Sequence, residues 1–241
     1  MGESVFLSVL GLILGSFLGA LTYRLPRKLS INEGRSKCPN CGKQIEWYDN
    51  IPLLSFILLQ GKCRSCGEKI SFRYPLIEAL TAVVFVSIGL HIFPLILASI
   101  LIAIFVTDIE NQLIFDELVF LGLFFVILNL IVLNSDQLFV YLLGGFLASI
   151  LLLIINFLTN GRGMGLGDVK LAILLGSLLP IELILVWFFF SFVSGAVVGV
   201  ILIMVRNAKL KQKIAFGPFL IIGLVLTLFF GQFFLKGVIG L

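Results

Sequence analysis

Apolar residues run along this chain in long blocks, with a single long polar interruption near the start. A membrane-spanning helix needs about 20 consecutive apolar residues. The first such run is Val5–Tyr23. A polar segment follows, from Arg24 to about Arg73. Apolar runs then return at Leu76–Ile92, Pro94–Thr107, Leu118–Leu133, Leu138–Leu158, Val169–Leu179, Leu183–Val205 and Phe216–Phe234. The pattern predicts an all-α polytopic membrane protein of about eight transmembrane helices, with a small module between the first two. The third and sixth runs are short, and both border polar motifs. The organisation expected is a first transmembrane helix over 1–23, a cytosolic four-cysteine domain over 24–75, and a membrane domain over 76–241.

Composition agrees with the pattern. The chain is 60% hydrophobic and only 12% charged, where a soluble domain carries roughly 25% charge. No soluble core hides so much apolar side chain, so the bilayer is the solvent for most of it. The first run lacks a basic start and a small-residue cleavage site, and it reads as a retained helix. Charge placement orients the spans. With the N-terminus outside, all but Lys236 of the 17 basic residues fall in cytosolic segments. That is a strong positive-inside bias. Of these, the group Arg206, Lys209, Lys211 and Lys213 reads as a topology determinant that also contacts anionic lipid.

The polar segment holds every cysteine. It reads CPNC, then 21 residues, then CRSC. Two C-x-x-C pairs at this separation predict a structural zinc site made by Cys38, Cys41, Cys63 and Cys66. Each turn aims two thiolates at one ion, and two turns complete a tetrahedron. Gly42 and Gly67 follow the second cysteines, where a knuckle turn takes positive φ. Lys37, Lys43, Lys62 and Arg64 lie close by and favour ionised thiols. The competing reading is free or paired thiols, but a disulfide needs an oxidising compartment.

Two acids stand out at the edges of the short runs. Asp108 closes the third, in IFVTDIENQLIFDEL, and Asp168 opens the sixth, in GRGMGLGDVKLA. Ionisable groups at membrane depth are expensive and usually functional. The expected topology puts both on one side. Two neighbouring carboxyls share one proton, so one activates water while the other donates to a carbonyl. Gly163, Gly165 and Gly167 precede Asp168 at alternate positions and allow close backbone approach. The bland alternatives are an N-cap for Asp168 and a solvated acidic loop for Asp108, Glu110, Asp116 and Glu117. Lys170 sits two residues beyond Asp168, on a diverging face of the helix, and is not expected to pair with it. A membrane transporter using the two aspartates as a proton or cation relay is the alternative from another class. It predicts acids spread through the bilayer depth, whereas these gather at one edge.

Taken together, the chain resembles the type IV prepilin peptidases, or leader peptidase/N-methyltransferases. The resemblance rests on GSFLGALTYRLPR at 15–27, the two cysteine pairs with DNIPLLSF between them, and SFRYPLIEALTA from 71. It continues through the 108–116 acidic stretch, GMGLGDVKLA at 163–172 and FGPFL at 216–220. It implies that Asp108 and Asp168 are the catalytic pair, with Asp116 and the three glycines in support. Before Asp116 the family has proline where this chain has Phe115, a departure that affects the local turn. The resemblance implies cleavage of the short basic leader of prepilins and pseudopilins on the cytosolic side, between Gly and Phe. It further implies methylation of the new N-terminus with S-adenosylmethionine, in the segment that holds the cysteines. Arg73 and Glu78 are the candidate methyl-transfer residues. Trp47 and Tyr48 read either as a stacking platform for adenine or as interfacial anchors. Presenilin-type peptidases share a G-x-G-D string but pair it with a Y-D motif, absent here. The partners expected are these substrates and membrane lipids, not nucleic acid, and the location is the bacterial cell (inner) membrane. The acidic 108–117 stretch, free of Lys and Arg, is the expected contact for the basic leader.

Overall fold

The computed structural model describes residues 2–30, 36–133, 135–205 and 214–239. The Arg206–Lys213 basic group and Arg35 lie outside the described residues. The chain forms two compact units, Met1–Ala103 and Ile104–Leu241.

The first unit is built on α1 (Gly2–Arg24) and α3 (Arg73–Ile88), which pack along their length. Helices in lipid gain little from burying apolar surface and associate instead through close backbone contact at small residues. That is the arrangement here. A Cβ on Gly11 would lie 2.6 Å from the Ala82 Cα. Between the two helices the chain makes short turns, α2 (Leu54–Leu58) and two isolated bridges, Lys37↔Gln44 and Lys62↔Lys69. The unit also takes in the start of α4 (Ile92–Asn111), whose Leu95 packs with Leu7 and Phe85.

The second unit holds the end of α4, then α5 (Asp116–Leu133), α6 (Leu138–Leu158), α7 (Leu166–Gly176), α8 (Ile184–Met204) and α9 (Gly217–Ile239). α6 packs on α7 where Gly145 meets Gly176 and Ser177, and α8 packs on α9 where Gly223 meets Ser191. The buried Trp187 indole N–H donates to the Leu220 carbonyl at 2.8 Å, joining α8 to α9. α7 is the central element, touching α5, α6 and α9. Its Leu171, Leu174 and Leu175 are fully buried.

Every apolar run read from the sequence contains a helix, but two helices stop several residues short of their runs, α3 at Ile88 and α7 at Gly176. Among the described residues, six helices are long and apolar enough to cross a membrane, which makes this a multi-pass membrane protein. α3 has 16 residues and α7 has 11, so the structure does not establish a count of eight spans. At ~1.5 Å per residue, α7 covers about 17 Å, roughly half of a ~30 Å hydrocarbon layer. The third run is longer than expected. Pro94 fits in the first turn of α4, where its missing N–H costs nothing. The helix then continues through Asp108 to Asn111.

Candidate active site and cysteine centre

The two aspartates sit on different helices of the second unit, and both are buried. Asp108 lies one turn before the end of α4. That end is fixed by Gln112, whose φ of 54° turns the chain and whose N–H donates to the Asp108 carbonyl at 2.8 Å. The turn brings Ile114 inward. Asp168 is the third residue of α7, within its first turn. Its Oδ2 accepts a hydrogen bond from the Gly165 N–H at 3.1 Å. This is one half of a capping box, because Gly165 has no side chain to return the bond. The Gly-rich approach to α7 is pinned as well. Asn156 donates to the Met164 carbonyl at 2.6 Å, and the Gly163 N–H donates to the Thr159 hydroxyl at 3.1 Å.

Shared neighbours bring the two carboxyls to one locus. A Cβ on Gly217, at the start of α9, would fall 2.6 Å from Asp108 Oδ2 and 3.2 Å from the Ile114 side chain. A Cβ on Gly167, next to Asp168, would fall 3.2 Å from the same Ile114. The Asp108 charge acts electrostatically on Asp168. Asp108 Oδ2 is buried, faces the Gly217 main chain and has no hydrogen-bond partner of good geometry among the described residues. A buried acceptor left open is rare. It has room in its bonding for a water proton or a substrate group.

Asp116 is placed otherwise. It is half exposed at the start of α5, and both its oxygens accept from Lys170 Nζ at 2.8 Å. Lys170 therefore turns away from Asp168, as its position in the helix requires, and ties α7 to α5. Sequence reading missed this pair, and it gave no role to Ile114, Asn156, Thr159 or Gly217. For Gly217 a signal was present in the stretch FGPFL.

The four cysteines meet in the first unit, with their Sγ atoms all within 4.8 Å of one another. The two knuckles repeat one geometry. Cys38 N–H donates to Lys43 O at 2.9 Å, and Gly42 N–H to Cys38 O at 2.9 Å. Cys63 N–H donates to Glu68 O at 2.8 Å, and Gly67 N–H to Cys63 O at 2.9 Å. Gly42 and Gly67 share a φ of 71°, a left-handed turn that other residues adopt only with strain. Cys38 and Cys66 Sγ are 3.8 Å apart. Zinc–sulfur bonds of about 2.3 Å in a tetrahedron give edges of about 3.8 Å, so the donor set fits zinc. Main-chain N–H groups of Cys66 and Ser65 pull the Cys63 thiol down to about 7. For Cys66, the Glu68 N–H also lowers the value, but desolvation and the other thiols outweigh it, to about 11. Arg64 lies against Asp49 with bonds of 2.7 to 3.0 Å, and this contact raises its already high pKa.

Arg73 and Glu78 are braces. Arg73 donates to the Gly19 carbonyl at 2.9 Å and to the Thr22 hydroxyl at 2.6 Å, both on α1. The buried Glu78 accepts from the Leu53 N–H at 2.8 Å and from the Ser16 hydroxyl. Leu53 has a φ of 57°, a strained conformation that this bond helps to hold.

Two family models match the chain. The Bacterial Peptidase A24 N-terminal domain covers residues 9–92, and the Type IV leader peptidase family covers residues 95–200. Among curated relatives, a prepilin leader peptidase/N-methyltransferase of Bacillus subtilis is 35% identical over 97% of this chain and 98% of its own length. One of Pseudomonas aeruginosa is 33% identical over 93% of this chain and 89% of its own. One of Vibrio cholerae is 34% identical over 75% of this chain and 79% of its own. No solved structure matches.

Proposed function

Because this chain belongs to the type IV leader peptidase family and is a membrane peptidase, we propose that Asp108 and Asp168 are its catalytic pair. The substrates in this reading are type IV prepilins and pseudopilins, cut after Gly and before Phe at the cytosolic face of the cell membrane. The observation that supports it is that two buried carboxyls, on α4 and α7, lie beside glycines that share the neighbour Ile114, and one of the two has an open acceptor. Asp168, held by the Gly165 N–H at the N-terminal turn of α7, is suited to the ionised role. It takes a proton from water as the oxygen attacks the scissile carbonyl. Asp108 carries the shared proton and gives it to the carbonyl oxygen. The tetrahedral intermediate then breaks its C–N bond, and the amine leaves with the proton that the water lost. Gly163, Gly165 and Gly167 let the chain pass close to the pair, and Asp116 acts at a distance by holding Lys170.

The orientation proposed puts the N-terminus outside and the pair at the cytosolic edge, on the strength of the basic-residue bias. The four cysteines are proposed to hold a structural Zn²⁺, which keeps their module folded. N-methylation of the new terminus belongs to the same reading, with S-adenosylmethionine supplying the methyl group. Arg73 and Glu78 remain its candidate neighbours by position, but as placed both are spent on α1 and Leu53 and do not form an open cradle for it.

Mass spectrometry of a co-expressed prepilin reads both activities at once, as a lost leader and as a one-methyl mass gain. Asp108→Asn and Asp168→Asn should each cut cleavage by ~10²–10⁴-fold, the range contributed by general acid–base catalysis, with the protein still inserted and folded. Parental cleavage in either variant would reject the pair.

A further inference from the structure

The cysteine module exposes an apolar surface that its small size makes conspicuous. Trp47 is 73% exposed in the turn at 47–50, with Tyr48 and Ile51 also exposed beside it. α2 packs against that turn and presents Leu54, Ile57 at 68% and Leu58 at 71%. Phe72, 68% exposed, stands at the entrance to α3. A small polar module in water does not leave so many large apolar side chains open without a partner.

Two contacts join this surface to the membrane helices. The Phe56 ring of α2 lies edge-on to Phe72, with centroids 6.0 Å apart. The Leu53 N–H, just before α2, is bonded to Glu78 of α3. α2 is thereby latched beside the start of α3, whose Leu76, Leu80 and Val83 continue the exposed apolar surface. Exposed basic residues border it. Lys62 lies four residues beyond the end of α2, and Lys69 is bridged to Lys62. Apolar and aromatic side chains edged by lysine are the pattern of a segment lying in the bilayer interface.

We propose that the 47–58 segment is a monotopic membrane anchor, which seats the cysteine module in the headgroup and upper acyl region of an anionic leaflet. Aromatic rings and leucines enter the boundary, and Lys62 and Lys69 meet lipid phosphates. The module is then held at the membrane surface at a fixed depth, rather than swinging on its two connections. The anchor is independent of which aspartate does what.

Tryptophan quenching tests it on the full-length protein, reconstituted in phosphatidylglycerol-containing vesicles with or without brominated acyl chains. The difference between the parent and Trp47→Phe isolates position 47. The difference between Trp47→Phe and Trp47→Phe/Leu58→Trp isolates position 58. Both signals should be blue-shifted and quenched several-fold by brominated lipid. Ile57→Glu with Leu58→Glu should abolish the quenching at position 47 while zinc content stays at the parental level, which verifies that the module remains folded. Red-shifted emission, open to aqueous iodide and untouched by bromine, would overturn the anchor. So would shielding that appears only when a prepilin is added, since that would assign the surface to substrate.

Discussion

The cysteine cluster and the aspartate pair obtain their geometry from different distances along the chain. Each cysteine knuckle is closed by hydrogen bonds spanning only a few residues, and the second repeats the first down to a glycine φ of 71°. Little apolar burial supports it, since Cys41 and Cys66 are exposed. An ion is the natural fourth wall of such a fold. The aspartates are set by helix packing instead. α4, α7 and α9 each bring one backbone element to the locus, and a single side chain, Ile114, touches the glycines beside both acids. One centre is local, and its four sulfurs converge on a point that an ion would fill. The other is non-local and closed by its own packing, leaving an acceptor open inside.

The sharpest way to break the contrast is to remove one thiolate. Cys63→Ser should lower zinc affinity by about 10²–10³-fold, a quarter share of the ~10–16 kcal/mol typical of structural zinc. Metal content by mass spectrometry and limited proteolysis within 36–70 would read it. Unchanged metal content and protection would show that the knuckles stand without the fourth ligand. The matching test on the other centre adds a single methyl. Gly217→Ala places a carbon 2.6 Å from the present position of Asp108 Oδ2, closer than real contacts allow, so the carboxyl or the helix start must move. A misplacement of about 1 Å costs on the order of 10²-fold. Cleavage should fall by that factor with helicity and thermal stability nearly intact. A variant that cuts at the parental rate would show that the carboxyl has room to spare.

This same division explains what the sequence made legible. The spacing CPNC and CRSC is local information, and all four cysteines are found together as the spacing requires. Helix positions were legible for a like reason, because lipid forces apolar runs into helices. Span number was less so. α7 ends at Gly176 although apolar residues run on to Leu179, so hydropathy overstates its reach. Asp108 and Asp168 were legible as acids in the wrong solvent. Gly217 and Ile114 were not, because a glycine pressed against a carboxylate is written in packing between distant helices. The Lys170–Asp116 bond links residues 54 apart in sequence, and nothing in either local stretch announces it. The acidic 108–117 stretch contains no Lys or Arg of its own. The structure gives one of its acids a lysine from α7.

That pairing narrows the expected contact for a basic leader. With Asp116 bound to Lys170, Glu110 and Glu117 are the acids proposed to meet the leader. Reversing both to Lys should raise KM for leader cleavage several-fold, with kcat nearly constant and the effect fading at high salt. Equal loss in kcat would place the acids in the chemistry instead.

The smallest effect belongs to the ion pair itself. Lys170 and Asp116 are both about half exposed, and such pairs contribute roughly 0.2–1 kcal/mol. Lys170→Met keeps the aliphatic stem on α7 and removes only the charge. Stability should drop within that range, and cleavage by less than about five-fold, because one kcal/mol is close to that factor. Asp116→Asn should do the same, and the double variant should cost less than the sum of the two, as a direct pair requires. If instead Asp116→Asn alone lowers kcat by orders of magnitude while Lys170→Met does not, then Asp116 does more than hold α5 to α7. The aspartate locus would then need a third carboxyl that its buried geometry does not otherwise call for.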